Sequence, residues 1–432
     1  MPKPQAKPPA TRPADPLGTP ARRAALRLLD AVLRRGDSLE AALPNATRAV
    51  HGPDRGLAHA IAAEVLRWTP DLDALIDGAT RLRLPDDAKA RFALRLALVQ
   101  VLRLGTPPHA AIATVLPLVD GGPRKLVHGV FGTLMRGEAR LPDTPTLLPE
   151  VTARWTGAWG EEATADAARA VAAPPPIDLS LADPLAIGTW AERLGARSLA
   201  PGHLRLPAEH APLTELPGFA EGAWWVQDLA ASIPARLLAG AGPSVIDLCA
   251  APGGKTLQLA AQGHRVTAVD ASRSRLARLR DNLSRTRLTA DVVQADALTW
   301  EPAGPADAIL LDAPCSATGI FRRHPDVLHR ARGAIVAEMA ELQQRLFARA
   351  ADWVRPGGTL VYATCSLEPQ EGEQQLDAFL SARSDYSLAP PGPGELPPGM
   401  AAMPGGWIRT LPGTLAEEGG CDGFFIARLR RA

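Results

Sequence analysis

Residues 247–256 read DLCAAPGGKT, a short apolar stretch that runs into a glycine turn and the start of a helix. A phosphate-binding loop needs Gly, four further residues and then Gly-Lys-Ser/Thr, but position 249 holds Cys where the first Gly is required. A G-x-G-x-x-G dinucleotide fingerprint is also absent. The stretch therefore predicts a strand, a tight turn and a helix, which let the backbone approach a ligand at the carboxyl edge of a sheet.

The residues that follow alternate between strand and helix patterns. Apolar runs typical of buried strands occur at SVIDLC 244–249, RVTAVD 265–270, ADVVQADA 290–297, DAILLDAP 307–314 and PGGTLVYATC 356–365. Strands that alternate with amphipathic helices predict a parallel sheet covered on both faces, an α/β Rossmann-like domain over residues 241–432. The final stretch GFFIARLRR (423–431) predicts an antiparallel edge strand.

The N-terminal part of the chain has a different pattern. Apolar residues recur at helical spacing from about residue 20 to 140 without strand-like alternation, which predicts an all-α bundle over 19–145. Residues 1–18 are Pro-rich with almost no large apolar side chains, so we expect a disordered tail. Residues 146–240 are less regular and predict a linker and a small subdomain.

The bulk composition excludes several classes of protein. No run of about 18 uncharged apolar residues occurs, so we expect no membrane span. The N-terminus lacks the apolar core of a secretory signal. The cysteines are too few and scattered for a disulfide framework, and none has C-x-x-C spacing, so we expect a cytoplasmic protein without a structural metal. They are Cys249, Cys315, Cys365 and Cys421.

The charge is unevenly distributed along the chain. Residues 19–145 carry 18 Lys or Arg side chains against 13 Asp or Glu side chains, whereas the formal net charge of the whole chain is only +1. A basic front on an acidic remainder indicates a module that binds a polyanion such as RNA. A helical surface coated with arginine for solubility is the alternative.

Acidic residues accompany three consecutive strands. Asp247 lies in the first, Asp270 ends the second 23 residues later, and Asp296 ends the third within QADA. An acidic residue about 20 residues past such a turn typically binds ribose hydroxyls, and Asp296 is placed to hold an adenine edge. A ribose and a base without a phosphate loop favour S-adenosylmethionine. Each Asp taken alone is also consistent with a helix cap.

Two thiols are predicted to open on the same cleft. Cys315 follows the fourth strand in DAPC, and Cys365 follows the fifth in ATCS. A thiolate that adds to carbon 6 of a pyrimidine activates carbon 5 for methylation, and Lys255, one of five lysines, is a candidate to stabilise that thiolate. Two buried structural thiols or a disulfide between them are the alternatives, and the spacing does not order the two.

Three motifs together resemble the NOL1/NOP2/Sun family of RNA cytosine-5 methyltransferases. They are DLCAAPGGKT, DAPCSATGIFRRHPD (312–326) and TLVYATCSLEPQEGE (359–373), and the resemblance covers roughly residues 20–432. It implies a class I methyltransferase domain that acts on small-subunit ribosomal RNA with S-adenosylmethionine. The helical front is similar to the antiterminator NusB, an RNA-binding all-α domain. We expect a cytoplasmic monomer that needs neither a metal nor a membrane.

The resemblance also implies roles for individual residues. Cys365 would be the nucleophile, Cys315 would assist its release, and Asp312 would lie between cofactor and base, near Lys255. The turn and the strand-end carboxylates would line the cofactor: Cys249, Ala250, Ala251, Pro252, Gly253, Gly254, Lys255, Asp270, Asp296 and Asp312. The RRHP stretch would contact RNA phosphates through Arg322, Arg323 and His324.

One stretch departs from the family pattern. PPIDLSLAD (175–183) stands where the family usually shows P-P-x-x-L-R-x-N, so the Arg and the Asn are missing.

Two other functions remain open. A non-enzymatic RNA-binding or antitermination factor would need only the helical bundle. A methyltransferase for an exocyclic amine or a protein would commonly carry D/N-P-P-Y/F where this chain has D-A-P-C.

Overall fold

The computed structural model describes residues 15–172 and 174–432, and the chain divides into two compact units, Met1–Thr146 and Leu147–Ala432. Most of the predicted disordered tail (1–18) lies outside the described residues, so that expectation stays a prediction. Within the described residues, no helix combines the length and the apolar character needed to cross a membrane.

The first unit is an all-α bundle, as the helical spacing predicts. Its α-helices are α1 (Thr19–Arg35), α2 (Leu39–Ala46), α3 (Pro53–Arg67), α4 (Thr69–Gly78), α5 (Lys89–Leu102), α6 (Pro108–Val115) and α7 (Gly121–Arg136). Helix α5 is apolar on nearly all sides and runs through the core, where Leu94 and Leu98 contribute to the same fully buried cluster as Leu28 and Leu29 of α1. A helix that is apolar all round is stable only when its neighbours surround it.

Several arginines of this unit are inside it, which revises the interpretation of its basic charge. The Arg91 side chain is fully buried and pairs with Asp73 at 3.1 Å and with Asp77. Arg95 pairs with the same Asp73 at 2.6 Å. Because a buried charge must be paired, these guanidinium groups are occupied by carboxylates inside the bundle and do not face a polyanion. Only the exposed Lys and Arg side chains of this unit are available to bind RNA.

The second unit opens with elements that the sequence pattern did not reveal. Helix α8 (Pro149–Val171) contains a kink at Gly160, and a small antiparallel sheet has the strand order β2-β3-β1-β4. The elements that follow α8 are β1 (Asp178–Leu181), α9 (Ile187–Leu194), β2 (Arg197–Ala200), β3 (His203–Arg205), β4 (Trp224–Val226) and α10 (Leu229–Arg236). Strands of three or four residues are too short to show an alternating pattern.

A larger, mostly parallel sheet follows, as predicted. Its strands and helices are β5 (Ser244–Leu248), α11 (Gly254–Ala261), β6 (Arg265–Asp270), α12 (Arg273–Thr286), β7 (Asp291–Gln294), β8 (Ala306–Asp312), α13 (Asp326–Arg330), α14 (Gly333–Asp352), β9 (Val354–Thr364), α15 (Glu373–Ala382), β10 (Tyr386–Leu388), β11 (Ile408–Thr410) and β12 (Phe424–Arg431). The strand order is β10-β12-β9-β8-β5-β6-β7, and β11 pairs with β12. The order reverses direction beside β5, which is where open α/β sheets bind ligands.

The last strand corrects one prediction. Strand β12 is antiparallel, as expected, but it lies inside the sheet between β9 and β10 instead of at an edge. Its residues Phe425, Ile426 and Ala427 are fully buried. Exposed edges usually carry charged or short strands, and this apolar run is covered on both faces.

Helices cover both faces of the large sheet. Helix α14 packs Leu346 and Phe347 against one face, and the Phe347 ring stacks on Tyr362 of β9 with centroids 4.4 Å apart. Helix α10 packs Leu229 and Ile233 against the other face. The two layers hold the carboxyl ends of β8 and β9 at one rim, where the predicted site residues lie.

Candidate active site

The glycine turn after β5 is held in a conformation that only glycine accepts. Gly253 has φ +110°, and a Cβ placed on it would lie 2.1 Å from Leu279 Cδ1. The Ala250 N–H donates to the Val269 carbonyl at 3.1 Å, which fastens the turn to β6. Helix α11 then starts at Gly254, so the turn presents open backbone at the rim of the sheet, as the motif predicts.

Two of the predicted carboxylates lie beneath this turn. Asp247 is fully buried and accepts a hydrogen bond from Thr256 Oγ1 at 2.5 Å. Its other oxygen has no hydrogen-bond partner among the described residues, and burial raises the pKa of this carboxyl to about 7. Asp270 accepts from the backbone N–H groups of Ala251 at 3.1 Å and Ser272 at 2.7 Å. Both carboxylates therefore shape the turn.

The strand-end aspartates differ from one another in exposure. Asp270 is only 2% exposed, and Arg275 also donates to it at 3.1 Å, so three protein donors use this carboxylate. Asp296 does not end β7 but follows it by two residues. Asp296 is exposed and accepts a hydrogen bond from the Leu298 N–H at 2.9 Å. An aspartate in a turn commonly accepts such a hydrogen bond from the backbone two residues further on, so this contact is not specific to a binding site.

The two predicted thiols come together at the ends of neighbouring parallel strands. Cys365 directly follows β9, Cys315 lies three residues past β8, and their sulfur atoms are 3.5 Å apart. Both are free and half-buried. The hydrogen bond between the thiols and burial raise the pKa of Cys315 well above its usual value. This raised pKa favours the neutral thiol of Cys315, and either sulfur atom of the pair can be the donor.

The other two cysteines have no comparable surroundings. Burial and the neighbouring carboxylates of Asp312, Asp270 and Asp247 raise the pKa of Cys249 well above its usual value, which disfavours its thiolate. Burial likewise raises the pKa of Cys421. Of the four cysteines, only Cys315 and Cys365 form a pair.

A lysine–carboxylate pair links the turn to the thiols. Lys255 Nζ lies 2.7 Å from Asp312 Oδ2 and 5.2 Å from the centre of the Phe424 ring. Burial disfavours the ammonium, but Asp312 outweighs burial, and Cys365 adds a further attraction, so the pKa of Lys255 is raised. The ammonium of Lys255 is therefore within electrostatic range of Cys365, and its role in stabilising a thiolate stays a prediction.

Glycines that sequence reasoning missed fix the position of Cys365. The Gly319 N–H donates to the Cys365 carbonyl at 2.9 Å, and the Gly423 N–H donates to the Gly319 carbonyl at 2.9 Å. A Cβ on Gly319 would lie 1.9 Å from the Gly423 oxygen and 2.9 Å from the Cys365 oxygen. Three backbone segments therefore meet without room for a side chain. The Thr-Gly dipeptide after DAPCSA is the only local signal for this packing.

Helix α8, which the sequence pattern placed in a linker, braces the loop after Cys365. Trp159 Nε1 donates to the Leu367 carbonyl at 2.7 Å. Trp155 Nε1 donates to Glu368 Oε1 at 3.1 Å, and Arg154 Nε donates to Glu368 Oε2 at 3.2 Å. These partners are separated by more than 200 residues in the chain, so no local pattern predicts them.

The RRHP stretch corrects the predicted phosphate contacts. Arg322 is buried and lies 3.4 Å from Asp422 and 3.5 Å from Asp228. Arg323 lies 2.9 Å from Asp228 and 3.4 Å from Asp422. Asp228 and Asp422 therefore pair with both guanidinium groups inside the protein, and neither group is free to face RNA. His324 is half-buried beside them, and its predicted RNA contact stays a prediction.

The stretch that departs from the family pattern is also internal. Ser180, where the family usually has Arg, lies in β1 and is 3% exposed. Its neighbour Asp178 is fully buried, and Arg205 donates to it at 2.6 and 2.7 Å. The altered stretch thus packs into the small sheet.

The doubly covered sheet, the glycine turn at its switch point and the carboxylates around that turn define a class I methyltransferase. The family model described as 16S rRNA methyltransferase RsmB/F matches residues 237–430, and the NusB family model matches residues 19–132. The chain belongs to the family of ribosomal RNA small subunit methyltransferase B. The predicted family, the NusB-like front, the Rossmann-like domain and S-adenosylmethionine as cofactor are confirmed.

Relatives that match this chain over most of its length support the assignment to this family. Ribosomal RNA small subunit methyltransferase B of Klebsiella pneumoniae (strain 342) is 36% identical over 94% of this chain and 96% of its own length. The protein of the same name from Pseudomonas syringae pv. tomato is 37% identical over 94% of this chain and 96% of its own length. The solved structure of PH0851 shares the fold with a TM-score of 0.73 and 23% identity, covering 98% of this chain and 100% of that chain. At the level of the family, the chain is a ribosomal RNA methyltransferase.

Proposed function

We propose that this protein methylates carbon 5 of a cytidine in small-subunit ribosomal RNA through a covalent bond between Cys365 Sγ and carbon 6 of the base. The observation that carries the proposal is the thiol pair, whose sulfur atoms are 3.5 Å apart beside Lys255 and Asp312. A methyltransferase for an amine or a protein side chain needs no thiol. We further propose that it acts in the cytoplasm as a monomer.

The residues around the turn fit S-adenosylmethionine. The cofactor carries a sulfonium and an ammonium cation and two ribose hydroxyls, groups that carboxylates bind well. The rim offers Asp296 and the partly exposed Asp312, and beneath the turn lie Asp270 and Asp247, which has one oxygen without a partner among the described residues. A nucleotide polyphosphate fits poorly because the nearest ammonium, on Lys255, is already paired with Asp312. When bound, S-adenosylmethionine supplies an electrophilic methyl group.

The thiols perform the chemistry on the base. The target cytidine must leave its stack for a thiol to reach carbon 6. The Cys365 thiolate forms a bond with carbon 6, and the electron pair of the carbon 5–carbon 6 double bond moves to carbon 5, which becomes nucleophilic. After methylation of carbon 5, its proton leaves to a base, the double bond re-forms and the bond between sulfur and carbon 6 breaks. Cys315, held as a neutral thiol next to the departing sulfur, is placed to assist that release.

Lys255 and Asp312 form an ion pair between the cofactor turn and the thiol pair. The ammonium stabilises negative charge at Cys365, and Asp312 fixes that ammonium at 2.7 Å. Asp312 ends β8, so it lies between the turn and the thiol pair. This arrangement supports the predicted placement of Asp312 between cofactor and base.

Bisulfite sequencing of small-subunit ribosomal RNA from a strain that lacks the gene tests the function. We expect one cytidine to become convertible, and protection to return with the wild-type gene but not with a Cys365→Ala gene. If every cytidine that resists bisulfite in the wild type also resists it in the deletion strain, while the purified protein binds RNA tightly, the chain is a binding factor and the proposal is wrong.

Asp270 gives a prediction for cofactor binding. Asp270→Ala removes the acceptor of two backbone N–H groups of the turn, so we expect the affinity for S-adenosylmethionine to fall roughly 10- to 100-fold. Isothermal titration calorimetry on the full chain measures it, with circular dichroism to confirm folding. Asp281→Ala on the exposed side of α12 is the matched control. Equal affinity of the folded Asp270→Ala variant and the wild type would remove the role of Asp270.

The first, all-α unit gives a prediction for RNA binding. Arg124 and Lys125 of α7 are exposed and form no ion pair with described residues, so they can contact phosphates. We expect Arg124→Gln/Lys125→Gln to weaken RNA binding and to reduce the slope of log affinity against log salt by roughly one to two. Arg83→Gln, which removes an exposed guanidinium already paired with Asp86, should change the slope less. An unchanged slope in the double variant contradicts this phosphate contact.

A further inference from the structure

A fully buried carboxylate lies beneath the thiol pair, and the chemistry described above does not use it. Glu371 ends the short 3₁₀ turn Pro369–Glu371 that follows β9, and its exposure is 0%. A buried carboxylate is costly unless hydrogen-bond donors surround it. Its partners therefore indicate what it is for.

The side chain of Glu371 joins the two loops that carry the thiols. It accepts hydrogen bonds from the Ser316 N–H at 2.8 Å and from the Ser316 hydroxyl. It also accepts from the Ser366 hydroxyl. Ser316 directly follows Cys315 and Ser366 directly follows Cys365, so one carboxylate holds the residue next to each thiol.

Hydrogen bonds with α14 and β9 also hold Glu371 in place. Gln343 of α14 donates to its carboxylate at 3.2 Å and to the Pro314 carbonyl at 2.8 Å, so the DAPC loop is fastened a second time. The Glu371 carbonyl accepts from Tyr362 Oη at 2.9 Å and Thr364 Oγ1 at 3.0 Å, both in β9. The position of this carboxylate is thus determined from three separate elements.

The charges around the two thiols are asymmetric. Lys255 of α11 attracts Cys365, whereas Glu371 is among the groups that oppose ionisation of Cys315. The hydrogen bond to Cys365 and burial are the larger causes of the raised pKa of Cys315. The charged and titratable groups that face this region are Lys255, Asp312, Tyr362, Glu371, Glu373 and Arg409.

We propose that Glu371 is a positioning residue that ties the two thiol loops together and places a negative charge next to Cys315. This inference rests on the proposed function for its meaning, because it assigns one thiol to attack and the other to release. Burial raises the pKa of the Glu371 carboxyl, whereas the four hydrogen bonds that it accepts favour its ionised form. Glutamine at position 371 would remove the negative charge and would lose at least one of these hydrogen bonds.

The test measures thiol reactivity in the full chain without RNA or cofactor. Initial rates of alkylation by iodoacetamide at each cysteine, from pH 7 to 10, are followed by peptide mass spectrometry. In Glu371→Gln we expect the Cys315 profile to move to lower pH, so that Cys315 reacts roughly tenfold faster at pH 8, since one pKa unit is a tenfold change in thiolate. The half-buried Cys249 and the buried Cys421 are internal controls and should react as in the wild type.

Two outcomes overturn the proposal. Either the Cys315 profile of the Glu371→Gln variant is unchanged, or all four cysteines become more reactive together, which indicates general loosening of the fold. If Glu371→Gln does not fold, Ser316→Ala/Ser366→Ala carries the test. That variant keeps the charge, so we expect kcat for methyl transfer to fall roughly tenfold with an unchanged KM for RNA, and a wild-type kcat overturns the proposal.

The alkylation readout separates this inference from the proposed function. It involves no RNA, so a failure of cytosine-5 methylation would leave the Cys315 result intact. Conversely, an unchanged Cys315 profile alongside normal methylation would remove the role of Glu371 and leave the proposed function standing.

Discussion

Replacing Cys365 with Ala is expected to reduce methyl transfer to small-subunit ribosomal RNA by at least about 10⁴-fold, as the loss of a covalent nucleophile does in other enzymes. Without a bond to carbon 6, carbon 5 of cytosine is too weak a nucleophile to take the methyl group. Cys315 lies 3.5 Å away, but because its proposed role is release, we do not expect it to replace Cys365 as the nucleophile. Transfer of labelled methyl groups to RNA measures the loss.

Cys421→Ala is the matched control for that variant. Cys421 is free like Cys365, but it is buried in the loop before β12 and has no thiol partner. We expect this variant to keep most of its activity. Equal, partial losses in the Cys365→Ala and Cys421→Ala variants would mean that both thiols only fill space, and covalent catalysis would have to be abandoned.

Gly319→Ala is expected to have the second-largest effect. The new Cβ would lie 1.9 Å from the Gly423 oxygen, and backbone atoms cannot move aside as a flexible side chain does. We expect the free energy of unfolding to fall by about 3 kcal/mol. Since Gly319 also donates to the Cys365 carbonyl, the nucleophile should shift and activity should fall by about 10²-fold even at low temperature, where the variant stays folded.

Urea unfolding and methyl transfer are the two measurements for this variant. Gly304→Ala is the control, because a Cβ on Gly304 meets nothing within 4 Å. We expect Gly304→Ala to unfold and react as the wild type does. Wild-type stability of Gly319→Ala would show that Gly319 and Gly423 are not in the close contact described here.

The parts of the site that the sequence could predict are those with local signals. The turn from Cys249 to Lys255 was predictable because a glycine motif between an apolar strand and a helix has few structural solutions. The approach of Cys315 to Cys365 followed from the rule that parallel strands share one ligand-binding rim. Which of the two thiols attacks did not follow from the residues, and the resemblance supplied it.

The parts that could not be predicted depend on partners distant in the chain. Arg322 and Arg323 looked like phosphate contacts because their partners, Asp228 and Asp422, lie about 100 residues away on either side. Arg91 contributed to a basic front although it is buried against Asp73. A count of charges cannot tell a paired, buried arginine from a solvated one, since only the tertiary structure brings the carboxylates to it.

The elements that were missed have the same cause. The sequence from 146 to 240 gave no clear pattern because its strands are short, and the role of helix α8 depends on Trp155 and Trp159 reaching a loop near Leu367. Strand β12 looked like an edge because it ends the chain, but it pairs with β9 in the interior of the sheet. Order along the chain does not determine position in a sheet.

Denaturing gel electrophoresis of the protein after incubation with S-adenosylmethionine and labelled small-subunit ribosomal RNA tests the central claim most directly. A covalent adduct survives denaturation and moves the RNA label to the protein band. The account predicts a stable adduct with Cys315→Ala, which can attack but is slow to release, and none with Cys365→Ala. An adduct from Cys365→Ala and none from Cys315→Ala would exchange the two roles. Full methyl transfer by both variants without any adduct would contradict covalent catalysis itself.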